Sequence, residues 1–220
     1  MMLVCVSVGA TCALVGWLFG PLRHGVTVVH EAGHTLVALL MGRSVRAVRL
    51  HRDASGEAVS AGRADGSGVV ATLLAGYPAP GLVGLAGLVA VSDGQARLWL
   101  VAAGVALALV AVLLRTAFGV LVLVVVAAGI AATIRWASPP VADAVVACVS
   151  WFLLVGGLRS GLALFGPHTG DDDAALLARS TGVPAPLWRS GFVTLSAGCV
   201  VAALALTGLL PPSLAGVLGA

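Results

Sequence analysis

Two histidines four residues apart, His30 and His34, with Glu31 directly after the first, are the residues of this chain best suited to chemistry. On a helix that spacing sets them about 40° apart around the axis and about 6 Å along it, so two imidazoles on one face can grip one metal ion. Glu31 then points beside the metal, which suits a general base acting on water that the metal activates. Zinc is the expected ion: it accepts imidazole nitrogen and carboxylate oxygen, and a catalytic site keeps one position open. The bland alternative is a polar contact between helices. The surroundings argue against it, because three ionisable groups sit in an otherwise apolar stretch, where a charge at mid-bilayer costs about 2.5–3.5 kcal/mol on insertion scales. Gly33, beside the second histidine, removes side-chain bulk and lets a neighbouring helix or a substrate approach closely.

Two histidines need a third ligand, an Asp, Glu or His from elsewhere. His24 is expected to face headgroups at the end of the same helix, and His51 to be a solvated loop residue. Asp53, Glu57, Asp65 and Asp93 fall in predicted loops, and Asp143 follows Pro139-Pro140 at a helix start, where an acid favours the N-terminal dipole. His168 and the run Asp171-Asp172-Asp173 are left. Spacing alone leaves the run equally open to two readings, ligand or N-cap of the helix that Ala-Ala-Leu-Leu-Ala-Arg would form.

The elements that must position these groups are transmembrane helices. Of 220 residues, 60% are hydrophobic and 10% charged, and mean hydropathy is +1.08; a soluble domain carries about 25% charged residues. A single domain over residues 1–220 is expected, as an all-α polytopic bundle of six to seven spans. A bilayer core needs about 20 apolar residues per helix. The candidate spans are Met2–Leu22 (read as a retained span rather than a signal peptide), Gly25–Gly42, Gly68–Val91, Leu98–Leu114, Ala117–Ile134, Val141–Phe165 and Trp188–Leu210. Tyr77-Pro78-Ala79-Pro80 should break the third, since two prolines remove two backbone donors, and a broken helix at membrane depth is tolerated where it lines a cavity. Cys5, Cys12, Cys148 and Cys199 show no CxxC pairing and read as buried small hydrophobes. The five tryptophans, Trp17, Trp99, Trp136, Trp151 and Trp188, read as interfacial belt residues.

All twelve basic residues are arginines, and their placement orients the bundle. With the loop 43–67 in the cytoplasm and the spans alternating, nine arginines lie inside and Arg23, Arg97 and Arg135 outside, which is the asymmetry of the positive-inside rule. Within that loop Val45, Leu50 and Val59 among charged residues, with Asp53-Ala-Ser-Gly56 between, suggest a short polar hairpin. The arginines at three-residue spacing would also suit an interfacial helix on anionic lipid. A formal charge of +3 is too small to suggest nucleic acid.

His30-Glu31-Ala32-Gly33-His34, with Ala38, Gly42-Arg43 and Val45, resembles the signature of the site-2 protease family of intramembrane zinc metalloproteases. Two further stretches resemble a small bacterial branch of it: Ala75-Gly76-Tyr77-Pro78-Ala79-Pro80-Gly81, and Asp173-Ala174 with Leu177-Ala178, Thr181, Pro184 and Trp188. The resemblance implies a zinc ion held by His30, His34 and Asp173, with Glu31 as catalytic base. It also implies a multi-pass protein of a bacterial cell membrane acting on membrane-embedded or juxtamembrane protein segments. The chain departs from larger members in having alanine after the acidic run instead of an Asp-Gly pair, and no room for an extracytoplasmic PDZ-like domain. The rival class is a non-proteolytic membrane protein that binds or moves a metal ion; a third possibility keeps the motif for structure alone.

Overall fold

The computed structural model describes residues 1–19, 22–63, 65–166 and 172–210, the side chains of residues 14–19 excepted. Nine helices and one two-stranded sheet follow in order among the described residues: α1 Met2–Phe19, α2 His24–Leu40, β1 Ser44–Leu50, β2 Gly56–Ala61, α3 Ser67–Ala75, α4 Pro78–Ser92, α5 Ala96–Leu113, α6 Ala117–Trp136, α7 Pro139–Ala163, α8 Asp173–Thr181 and α9 Ala185–Leu206. Four of these, α5, α6, α7 and α9, are long and apolar enough to cross a membrane. The pair α3–α4, bent by 60° where Tyr77 and the two prolines interrupt it, makes a fifth if counted as one span. The expected count of six to seven is not reached on these criteria. Within α1 only Met2–Ala13 counts, as a shorter apolar helix, and α2 has 17 residues and carries the ionisable groups.

Close backbone approaches fix the helix directions. Cys5 donates a thiol hydrogen bond to the Ala144 carbonyl (3.7 Å), and Gly9 packs directly on Cys148, Trp151 and Phe152, so α1 and α7 run parallel. Pro80 meets Gly157 while Gly84 and Gly87 meet Ser150, so α4 runs against α7. Hence α1 and α4 are antiparallel, whereas strict alternation of seven spans would set the first and third parallel. The element between them explains the difference. Gly68 lies by Met41 and Thr72 by His34, so α3 runs back along α2 and returns the chain to the end at which α1 finished.

The segment expected to be a hairpin pairs as β1 against β2, antiparallel, from Ser44↔Ala61 to Leu50↔Gly56, with an irregularity at Arg46. It does not stay at the far end of α2. It lies along the helix, and its tip docks on the first turns: Arg23 donates to the Asp53 carbonyl, His24 to the His51 carbonyl (3.0 Å) and Thr27 to the Ala54 carbonyl (2.9 Å). His24 is therefore buried, its ring edge-on to Phe118, and does not face headgroups. The same docking moves Arg23. It shares an end of the bundle with the hairpin tip and with Arg115 at the α5–α6 junction, while Arg97 donates to Ala137 at the opposite ends of α5 and α6. Arg23 therefore does not share an end with Arg97, although the nine-to-three grouping expected it to.

One tryptophan departs from the belt reading. Trp151 is 2% exposed and packs with Cys5, Leu88, Leu154 and Cys199 where α1, α4, α7 and α9 meet. Small residues on α7 and α4 let these helices approach closely, and the large ring fills the space left at their junction.

Candidate metal centre

The buried stripe of α2 runs through His24, Val28, Glu31, Thr35 and Ala38, the three- and four-residue steps of one helix face. His30 and His34 flank it. Their Nε2 atoms lie 3.0 Å apart. Asp173 comes from the first position of α8, and its Oδ2 lies 3.4 Å from His30 Nε2 and 3.1 Å from His34 Nε2. One ligand atom from each of the three falls within 4.8 Å of the others, and this is the one such His, Cys, Asp or Glu group among the described residues.

Local structure holds each member. His34 Nδ1 lies 2.7 Å from the carbonyl of Thr72. A carbonyl only accepts, so Nδ1 carries the proton and Nε2 is left as a lone pair facing the cluster. Asp172, the N-cap of α8, accepts from the Ala175 amide (2.8 Å) and is paired to Arg189 on α9 (2.8 Å), which fixes where the next residue points. Ala174 and Leu177 anchor the buried side of that helix against Leu164 and Phe192. The acidic run thus divides its duties: Asp172 caps and Asp173 faces the histidines. Asp171 and His168 lie outside the described residues.

The break between α3 and α4 closes over the cluster. A Cβ at Gly76 would stand 2.3 Å from His34 Nε2 and 2.6 Å from His30 Cε1, so only glycine fits. Tyr77 sets its ring edge-on to His30, centroids 4.7 Å apart, and stacks on Phe192. Gly33 meets Ala75 and Ala79 so closely that α2 and the break share one contact surface. From the other side the hairpin covers Glu31: a Cβ at Gly56 would lie 2.5 Å from its Oε1.

Two features of this arrangement fit a cation. Asp173 Oδ2 and Glu31 Oε2 are buried with no hydrogen-bond partner. An anionic oxygen buried without a donor is costly unless a positive charge sits beside it. Two imidazole nitrogens and a carboxylate oxygen converging there are the donor set that zinc accepts. Of the other acids and histidines weighed from sequence, His51 is exposed at the hairpin tip, Glu57 pairs with Arg49, Asp65 pairs with Arg63, and Asp53 accepts from Ser55 in its own turn. None joins the cluster. Sequence reasoning did not single out Thr72, Gly56 or Arg189. Their roles belong to a backbone carbonyl, an absent side chain and a charge 16 residues from Asp173, and none of these leaves a local pattern.

A family model described as Peptidase M50B-like matches residues 2–203. No curated protein and no solved structure matches the chain.

Proposed function

This chain belongs to the M50B-like peptidases, site-2 protease-type membrane metalloproteases, and from that premise we propose that it hydrolyses peptide bonds of membrane-embedded or juxtamembrane protein segments, with zinc held by His30, His34 and Asp173 and with Glu31 as general base. It is an integral membrane protein; a bacterial cell membrane, with the arginine-rich end in the cytoplasm, is the setting this reading gives it. The observation that carries it is the convergence of three ligand atoms within 4.8 Å beside a buried carboxylate oxygen that has no partner.

Zinc supplies a Lewis acid there, polarising a carbonyl and acidifying a water. His30 and His34 bind as neutral imidazoles, so Asp173 is the one charged ligand and leaves the site one net positive charge. Glu31, one residue from His30, takes the water's proton and returns it to the leaving amine. Burial under Gly56 shields that carboxylate from bulk solvent. The substrate must be extended, because a helix shields its own carbonyls. The outer edge of β2 suits it: strand addition there would lay an extended segment beside Gly56 and hence beside Glu31. The outer edge of β1 is already taken at Val48–Leu50 by Leu114–Thr116. A metal transporter is not favoured, since a transport path needs further ligand groups, and the described residues hold this one alone.

The test is Glu31→Gln. The variant should keep zinc at the wild-type level and trap a bound membrane protein that mass spectrometry can identify. It should cleave that protein about 10²- to 10⁴-fold more slowly than the wild type does. Undiminished cleavage would remove Glu31 from the mechanism, and loss of zinc would recast it as a ligand.

A further inference from the structure

The connection between α5 and α6 lies far from the histidines in sequence, yet it touches the element that covers Glu31. Leu114 forms a parallel bridge with Val48, and the Arg115 amide donates to the Val48 carbonyl (3.0 Å). Two residues further along β1, the hydroxyl of Thr116 donates to the Leu50 carbonyl (3.0 Å) and accepts from the Leu50 amide (3.2 Å). It also accepts from the Gly119 amide (3.3 Å), as the N-cap of α6. A hydroxyl has one proton and two acceptor lone pairs, so Thr116 spends its whole hydrogen-bonding capacity here. Leu50 is the register partner of Gly56, and Gly56 is the residue whose backbone lies against the Glu31 carboxylate.

We propose that the α5–α6 connection is a latch that sets the hairpin against Glu31, with Thr116 as its positioning residue. The inference rests on the peptidase reading for its catalytic consequence, but the latch itself is a matter of backbone geometry. The tip of the hairpin is held to α2 through Arg23, His24 and Thr27. Those bonds tie only the turn. Along β1, Thr116 is the side chain that bonds both backbone groups of one strand residue, at the position that decides where Gly56 sits. The connection also occupies the β1 edge, which leaves β2 as the edge open to an extended segment.

Three variants test it: Thr116→Val, which keeps the shape and removes the hydroxyl; Thr116→Ser, which restores it; and Thr116→Asp, which still caps α6 but has no proton for the Leu50 carbonyl. The measurements are hydrogen exchange over residues 44–61 and 24–40 in detergent, zinc content, and kcat and KM on fluorescein-labelled casein as an extended probe chain. Thr116→Val should speed exchange over 44–61 about tenfold while 24–40 and zinc content stay at wild type. Its kcat should fall at least about tenfold, toward the 100-fold that a 1 Å misplacement can produce. Thr116→Ser should restore both. Thr116→Asp should follow Thr116→Val, and it carries the test should Thr116→Val not fold. The latch is overturned if exchange over 44–61 is unchanged in Thr116→Val, if Thr116→Ser behaves like Thr116→Val, or if exchange rises while kcat holds. Casein left intact by the wild type counts against the peptidase reading, and the exchange comparison then decides the latch by itself.

Discussion

Gly76→Ala adds one methyl group at the point where the α3–α4 break faces the two histidines. The backbone there is helical (φ −64°), so alanine brings no conformational strain and the whole effect belongs to the new atom. That atom would stand 2.3 Å from His34 Nε2, 2.5 Å from His34 Cε1 and 2.6 Å from His30 Cε1. Non-bonded carbon contacts settle at about 3.5 Å, so the overlap is about 1 Å on both rings. His34 cannot retreat by that much and keep its 2.7 Å bond to the Thr72 carbonyl. Ligand geometry tolerates about 0.5 Å before binding suffers. Zinc affinity should therefore fall by at least the 10- to 100-fold that follows loss of a group orienting a ligand, about 1.4–2.7 kcal/mol. Competition against a chromophoric chelator, with the purified protein in detergent, measures it. Gly129→Ala is the matched control, because nothing lies within 4 Å of its new methyl. Wild-type zinc affinity in Gly76→Ala would refute the reasoning, since it would mean that the rings do not hold the ion where they converge.

Asp173→Asn should lose most of its zinc, while Asp172→Asn, which can still cap α8 but gives up the ion pair with Arg189, should stay near wild type; zinc held at the wild-type level by both, read by metal analysis of the purified proteins, would move the third ligand to His168. In a background without the four native cysteines, Cys at positions 52 and 179 should resist a membrane-impermeant thiol reagent applied to intact cells, and Cys at position 94 should react. Labelling of 52 together with 94 would break the separation of the hairpin tip from the α4–α5 turn.

The histidine pair of the candidate site was legible because it is encoded in a short spacing. Three ionisable groups in an apolar segment have no cheap structural role, and an i, i+4 histidine pair on a helix points one way. Span positions were legible for a related reason: lipid demands continuous apolar runs, so α5, α6, α7 and α9 begin and end within four residues of where hydropathy placed them. The acidic run was half legible. An aspartate before a helix is a cap or a ligand with equal ease, and the choice between Asp172 and Asp173 depends on where Arg189 sits on another helix.

Sequence alone thus determined that this is a membrane helix bundle with two histidines and a glutamate at metal-site spacing on one helix, because each of those facts follows from residues close together in the chain. Tertiary structure decided the rest. That α1 and α7 run parallel follows from Gly9 admitting the α7 backbone. That Arg23 lies at the hairpin tip, that His24 is buried and that a hairpin covers Glu31 all follow from the hairpin lying back along α2. Such contacts join residues that hydropathy and spacing treat as independent, since both measure only neighbours along the chain. The glycines at 33, 56 and 76 show the reason most directly: each matters for the side chain it lacks, and what that absence admits is set by a partner far away in sequence.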